Sequence, residues 1–110
     1  MPTIARKKQD ARTRAIFEAL KGAFPEIAGR QPADVVYLIN PVSIRVRVID
    51  DRFAGKETAA RERLVDQSLK NVPSDAVADI TMLLMLTRQE AADPLNLPNA
   101  EFDDPSRPML

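Results

Sequence analysis

Residues 42–87 decide the fold, and they read VSIRVRVIDDRFAGKETAARERLVDQSLKNVPSDAVADITMLLMLT. Apolar and polar side chains alternate from Val42 to Val48, which is the period of a half-buried strand. Residues 57–71 have helical spacing, and Pro73 ends that helix. Residues 77–87 are apolar at nearly every position, as in a strand covered on both faces. A strand–helix–strand unit with short connections is normally a right-handed crossover between parallel strands. The strands at 42–49 and 77–87 are therefore predicted to be parallel.

The part of the chain before this unit adds one helix and one strand. Residues 3–24 are predicted to form a helix that Thr3 caps. Residues 34–39 are rich in β-forming side chains, and Asn40 and Pro41 then mark a tight turn into the next strand. The two strands therefore form an antiparallel hairpin. The sequence predicts an α+β domain with a three-stranded mixed sheet and helices on one face.

The second strand has two chemically different sides. Its core-facing residues are predicted to be Ile44, Val46 and Val48. Arg45 and Arg47 then point away from the core, either into solvent or toward an acidic partner or phosphate backbone. The strand at 77–87 is predicted to place Ile80, Met82 and Leu84 on one side, and its apolar residues leave large side chains on both sides of the sheet. Either the C-terminal tail or a second subunit must cover them, so a homodimer through this apolar face is one prediction.

The chain divides into a domain at residues 1–92 and a proline-rich, acidic tail at residues 93–110. Four prolines in the tail predict that it lacks regular structure. It is expected to be ordered only where Leu95, Leu97 or Phe102 docks onto the domain.

Composition bounds the possible functions. The 110 residues suit one domain, and 16 basic residues balance 16 acidic ones, so no global field favours nucleic acid. The sequence has no cysteine and no histidine, which excludes Ser-His and Cys-His nucleophilic catalysis and any disulfide. No apolar run is long enough to span a membrane. A cytoplasmic location is the expectation.

Residues 53–65 carry the most specific pattern, FAGKETAARERLV. This pattern resembles the central signature of the BolA family, and the resemblance extends loosely over about residues 12–90. The matching residues are Phe53, Gly55, Lys56, Arg61, Arg63, Leu64 and Val65. The resemblance implies a BolA-like, KH-related domain that acts as a stress-response or morphology regulator, in some members by binding DNA. It also implies a monothiol glutaredoxin as a partner that shares a [2Fe–2S] cluster.

Two departures from the family pattern concern that cluster. Glu62 stands where the family has a histidine between its two arginines, and Asp79 stands where the usual cluster ligand falls. Carboxylates are poor ligands for a sulfide-bridged iron, and the chain offers no thiolate or imidazole. The chain is therefore predicted to hold no cofactor and to bind a glutaredoxin, if at all, without a cluster.

The candidate binding site combines the loop after the second strand, the following helix and the start of the third strand. Its residues are Arg52, Gly55, Lys56, Arg61, Arg63, Lys70 and Asp79. Lys56 beside Gly55 at a helix start suits an anion, because free backbone N–H groups point there. Lys56, Arg63 and Lys70 lie seven residues apart and form either an anion-binding ridge or an ordinary solvated helix face.

Three functions remain open at this point. The first is a BolA-like, non-enzymatic regulator or adaptor. The second is KH-like nucleic-acid binding, although the loop has one glycine where the Gly-x-x-Gly clamp needs two. The third is an enzyme in which acidic residues bind Mg²⁺. The acidic residues concerned are Glu62, Asp66, Asp75 and Asp79.

Overall fold

The computed structural model describes residues 7–104 of the chain, and its fold is α+β with a three-stranded mixed sheet. The strands are Val36–Asn40 (β1), Ser43–Ile49 (β2) and Ile80–Leu86 (β3). The helices of the described part are Ala11–Ala23 (α1), Pro32–Val35 (α2), Thr58–Leu69 (α3), Ser74–Ala78 (α4), Arg88–Ala92 (α5) and Leu97–Phe102 (α6). Two 3₁₀ turns, Pro25–Gly29 and Asp51–Phe53, complete these elements. The predicted fold class is confirmed.

The sheet order is β1-β2-β3, and both predicted pairings are present. β1 and β2 form the antiparallel hairpin, with Val36 opposite Val46. β2 and β3 are parallel, with Val46 opposite Leu83, and α3 lies in the connection between them. The strand–helix–strand unit at residues 42–87 is therefore the centre of the fold, as the sequence predicts.

The first helix begins later than predicted, at the residue after Asp10. The Asp10 carboxylate accepts a hydrogen bond from the Thr13 backbone nitrogen, and the Thr13 hydroxyl accepts one from the Asp10 nitrogen. This reciprocal pair satisfies N–H groups that the first helical turn leaves free, so it fixes the start of α1. Thr3, the predicted cap, lies outside the described residues.

Two predicted strands also begin later than expected, because each is preceded by a short helix. The strand predicted at 34–39 begins at Val36, after the helical turn Pro32–Val35. The strand predicted at 77–87 begins at Ile80, after the helix Ser74–Ala78. Short apolar runs such as these do not distinguish a buried helical turn from a strand.

One face of the sheet packs against α1 and α3, and we call it the helix-covered face. α3 contributes the buried side chains Val65 and Leu69, while Leu64 is only partly buried. The strand residues of this face include Val36, Leu38, Ile44, Val46 and Val48. The predicted core side of β2 is therefore confirmed, and burial of these apolar side chains is the main source of stability.

The pairing of β2 and β3 contains an irregularity that changes which side chains share a face. Ile44 lies opposite Ile80, whereas the next residue, Arg45, lies opposite Met82. Thr81 is thus an extra residue in β3, as in a β-bulge, and it is exposed. Ile80 consequently packs against the helix-covered face while Met82 belongs to the opposite face. The prediction that strict alternation groups Ile80 with Met82 and the residues after it is wrong for this reason.

The opposite face carries Arg45 and Arg47, and we call it the arginine face. Its residues are Tyr37, Ile39, Arg45, Arg47, Met82 and Leu84. The prediction that the two arginines point into solvent is wrong, because Arg45 is 1% exposed and Arg47 is 7% exposed. The chain's own C-terminal segment covers them. The long helices lie on the first face, as predicted, and α6 adds a short cover on this one.

The covering segment is residues 97–104, which we call the strap. Phe102 is fully buried against the arginine face, whereas Leu95 and Leu97 are 82% and 69% exposed. Of the three predicted docking residues, only Phe102 is buried. The prediction that prolines exclude regular structure is wrong for Leu97–Phe102, because Pro98 stands in the first turn of α6, where no intrahelical N–H bond is needed. The same cover occupies the apolar face on which the homodimer prediction relies.

Candidate functional site

The loop after β2 is shaped by two residues of the signature-like segment. Phe53 is fully buried, and its ring centroid lies 5.6 Å from that of Phe24. Gly55 has a φ of +74°, a backbone conformation that residues with a Cβ atom rarely adopt. These two residues position Lys56, which is exposed just before α3. Phe53 and Gly55 therefore have structural roles that shape the loop of the candidate site.

Arg61 is a structural residue as well, because its guanidinium is occupied within the chain. It donates hydrogen bonds to the Lys56 carbonyl at 2.9 Å and to the Met85 carbonyl at 2.8 Å. It also forms an ion pair with Glu90 at 2.6 Å. The hydrogen bond from Arg61, together with that from the Thr87 backbone, lowers the pKa of the Glu90 carboxyl. Arg61 thus ties the loop to β3 and α5.

Arg52 combines a structural contact with an accessible side chain. Its guanidinium lies 5.0 Å from the centre of the Phe24 ring and donates a hydrogen bond to the Ala23 carbonyl at the end of α1. Its side chain nevertheless keeps 49% of its surface exposed. A partner that approaches the loop can therefore contact it.

Three cations remain exposed along α3 and its flanks. Lys56, Arg63 and Lys70 are all exposed and have no ion-pair partner within residues 7–104. Glu62 and Asp66 are also exposed on this helix. The surface of α3 therefore carries charges of both signs, which suits the mixed charges of a protein partner better than a uniform polyanion.

Asp79 is engaged in an ion-pair network that the sequence did not reveal. Its carboxylate lies 2.7 Å from Arg12 Nη1, and the same guanidinium binds Asp10 at 2.7 Å. Burial opposes ionisation of the Asp10 carboxyl, but hydrogen bonds from Arg12 and from backbone N–H groups outweigh it and lower the pKa. The network joins the start of α1 to the start of β3 across 67 residues of sequence, so no local pattern could have predicted it.

The seven predicted site residues do not form one site. Because β2 and β3 are parallel, the loop after β2 lies at their carboxyl ends, whereas Asp79 precedes β3 at the amino ends. A seven-residue strand separates these ends by about 20 Å. Lys70 follows α3, and this helix returns the chain to the end of the sheet where β2 and β3 begin. Arg52, Gly55, Lys56 and Arg61 are thus grouped together, while Asp79 belongs to a different end of the sheet.

The acidic residues proposed for Mg²⁺ binding do not converge. Within residues 7–104, no group of three or more carboxylate residues is placed to hold a metal ion. Glu62, Asp66 and Asp75 are exposed on helices, and Asp79 is paired with Arg12. The described part of the chain offers no geometric support for the metal-dependent enzyme.

The donor set also fails to fit the [2Fe–2S] cluster that the family resemblance implies. The sequence contains no thiolate or imidazole donor. Asp79, at the position of the expected ligand, already accepts a charge-assisted hydrogen bond from Arg12. Binding iron there would require breaking this ion pair to supply a ligand of the wrong softness.

Comparison of the chain with protein-family models, with curated proteins and with solved structures finds no match. In residues 7–104, no helix combines the length and the apolar character needed to cross a membrane.

Proposed function

We propose that the chain is a BolA-like, non-enzymatic adaptor that binds a protein partner through the surface formed by the loop after β2 and the outer side of α3. The observation that carries this proposal is the exposure of Lys56, Arg63 and Lys70 without ion-pair partners in the described chain. Arg52, whose side chain is half-exposed in the same loop as Lys56, extends the surface at its loop end.

The fold supports this proposal. The three-stranded mixed sheet with its long helices on one face agrees with the domain that the BolA resemblance implies. Gly55 has the backbone conformation that makes a glycine at that signature position necessary. Binding surfaces are commonly built on a loop held by a rigid scaffold, as this loop is by Phe53 and Arg61.

Nucleic-acid binding receives less support from the geometry. Arg45 and Arg47, the two arginines that could contact a phosphate backbone, are buried under the strap. Exposed acids accompany the exposed cations on α3, so the described surface there lacks a continuous positive stripe. Regulation through protein contacts is accordingly the function that we propose.

The test is a binding titration with a monothiol glutaredoxin as the probe partner. Lys56→Ala and Arg63→Ala are each expected to weaken binding by about 3- to 10-fold, as for accessible charges at an interface. Lys21→Ala is the matched control, because Lys21 is a cation on α1 paired with Glu18. Equal affinities for wild type and both α3-side variants would remove this surface from the interaction. A gel shift with duplex DNA at low and moderate salt distinguishes the nucleic-acid alternative.

The cluster prediction is tested by reconstitution of the chain and a glutaredoxin with iron and sulfide. The complex is expected to show no visible absorption beyond that of the glutaredoxin alone, because the chain supplies no suitable ligand. A new spectrum that disappears in Asp79→Ala would contradict this expectation.

A further inference from the structure

The arginine face is built as a binding site for a short peptide segment, and the strap occupies it. Arg45 Nη1 donates to the Glu101 carbonyl at 2.9 Å and to the Asp104 carbonyl at 3.3 Å. The Tyr37 hydroxyl donates to the Phe102 carbonyl at 2.5 Å. The last turn of a helix leaves its carbonyl groups without intrahelical donors, and these two side chains supply them. The face therefore recognises the C-terminal end of a short helix by its backbone.

The same face also recognises an aromatic ring and a carboxylate. The Phe102 ring packs edge-on against Tyr37, with centroids 5.1 Å apart, and the Arg47 guanidinium lies 4.3 Å from its centre. Arg47 Nη1 pairs with the Asp103 carboxylate at 2.9 Å, and Lys7 Nζ lies 3.7 Å from it. The sequence that fits is thus a phenylalanine followed directly by an acidic residue at the end of a helical turn.

The strap covers its face of the sheet with a single buried side chain. Phe102 is its one buried residue, and Leu97 is exposed at its start. An element with few buried apolar contacts opens at a lower free energy than the core. Arg47 Nε is buried without a hydrogen-bond acceptor within the described chain, so the strap also leaves part of the face unsatisfied. A carboxylate that accepted hydrogen bonds from both Nε and an Nη atom of Arg47 would satisfy this remaining donor.

We propose that the arginine face is a second interaction site, which binds an acidic, phenylalanine-bearing helical segment of a protein partner. The strap is then the chain's own competitor for that segment. Charge complementarity specifies this occupant, since the buried Arg47 guanidinium pairs with the Asp103 carboxylate and the segment carries a net negative charge from Glu101, Asp103 and Asp104. The contacts to backbone carbonyls and to a phenylalanine ring favour a peptide over a nucleic acid.

The test uses a fluorescently labelled peptide with the sequence of residues 95–104, LNLPNAEFDD, and the full-length chain. Phe102→Ala removes the one buried side chain of the strap and leaves the face intact, so this variant is expected to bind the peptide. The wild-type chain is expected to bind it at least 10-fold more weakly, because a tethered strap competes at an effective concentration near 1 mM. Anisotropy measures both affinities.

Two matched controls define the contacts. The peptide LNLPNAEADD, which lacks the phenylalanine, is expected to lose binding to Phe102→Ala. The double variant Phe102→Ala/Tyr37→Phe lacks the hydroxyl that donates to the Phe102 carbonyl, and it is expected to bind LNLPNAEFDD more weakly. Absence of binding to a Phe102→Ala variant with a wild-type circular dichroism spectrum would overturn the proposal.

A measurement on the wild-type chain keeps the proposal testable if Phe102→Ala does not fold. Hydrogen exchange is expected to show that amides of residues 100–104 open separately from those of β2. Opening of the strap only together with the whole domain would overturn the proposal. A concentration-dependent dimer in which two copies exchange straps would also overturn it, because the occupant would then be a second copy. Since Lys56 and Arg63 lie elsewhere, failure here leaves the proposed adaptor surface unaffected.

Discussion

The two faces of the sheet are covered in different ways. The helix-covered face buries apolar side chains from many elements against one another, and its cover is two helices of 13 and 12 residues. The arginine face buries two guanidinium groups under a six-residue helix with one buried side chain. The first arrangement depends on area removed from water and the second on hydrogen bonds with defined geometry. The helix-covered face therefore supplies most of the stability of the fold. The arginine face instead holds its covering segment through contacts that depend on the identity of that segment.

The largest expected effect is a loss of unfolding free energy when a side chain of the helix-covered face is truncated. Phe53→Ala is expected to cost about 3–5 kcal/mol of unfolding free energy, because it leaves a cavity in the helix-covered core. Leu97→Ala, at an exposed position of the strap, is the matched control and should change stability by less than about 0.5 kcal/mol. Urea denaturation followed by circular dichroism measures both. Equal midpoints for Phe53→Ala and wild type would show that this side chain does not belong to the core.

A smaller effect is expected on the arginine face. Arg45→Ala removes the donor to the Tyr37 hydroxyl and to two strap carbonyls, and leaving such buried groups unpaired costs about 1–3 kcal/mol. Arg45→Met, which keeps the volume and removes the charge, is expected to cost less. Faster hydrogen exchange should be confined to the strap in both variants. Equally accelerated exchange in α1 and α3 would contradict the separation of the two faces.

The Arg61–Glu90 ion pair is expected to make the unfolding free energy of the domain depend on pH. The pKa of the Glu90 carboxyl is lowered below its ordinary value, first by the hydrogen bond from Arg61. A lowered folded-state pKa contributes stability above the unfolded pKa, and that stability is lost as the pH falls through the folded pKa. Glu90→Gln should therefore flatten the loss of stability below about pH 4.5 and cost up to about 1 kcal/mol at neutral pH.

The matched control for this pH effect is Glu62→Gln, since Glu62 is exposed on α3 and makes no hydrogen bond or ion pair within residues 7–104. Its pH profile should coincide with that of the wild-type chain. Identical profiles for Glu90→Gln and wild type would instead show that the ion pair with Arg61 does not contribute to folding.

The smallest effect is expected at the exposed cations of the proposed adaptor surface. Lys56→Ala and Lys70→Ala should each change the unfolding free energy by less than about 0.5 kcal/mol, because neither residue has an ion-pair partner in the described chain. Thermal unfolding checks this result. A large loss of stability would show that these residues have structural roles, as Arg61 does.

The sequence predicted the parts of the fold that depend on local periodicity. Alternation identified the core side of β2, and the short connections gave the antiparallel and parallel pairings. The irregular pairing at Thr81 and the helical turn before β3 could not be predicted, because apolar spacing alone is compatible with either arrangement. The burial of Arg45 and Arg47 was missed for a different reason. The strap residues that cover them lie more than 50 residues away, in a segment whose prolines predicted no structure.

For the candidate site, the sequence predicted properties of single residues but not how those residues are arranged in space. The exposure of Arg63 follows from its position on the outer side of α3, and the backbone requirement at Gly55 follows from the residue type. The separation of Asp79 from the loop depends on strand direction, which places the two at opposite ends of β3. The pairing of Asp79 with Arg12 depends on tertiary packing, which no short pattern encodes.

The contacts at the two outer edges of the sheet have a consequence for aggregation. Along β1, the Leu38 N–H donates to the Lys8 carbonyl at 2.8 Å, so the N-terminal segment occupies part of that edge. Along β3, Leu86 directs its carbonyl toward β2, so the preceding carbonyl of Met85 points outward, where Arg61 binds it. An unprotected edge strand recruits other chains into extended sheets. Arg61 therefore occupies one of the edge carbonyls that a strand of another chain would otherwise pair with.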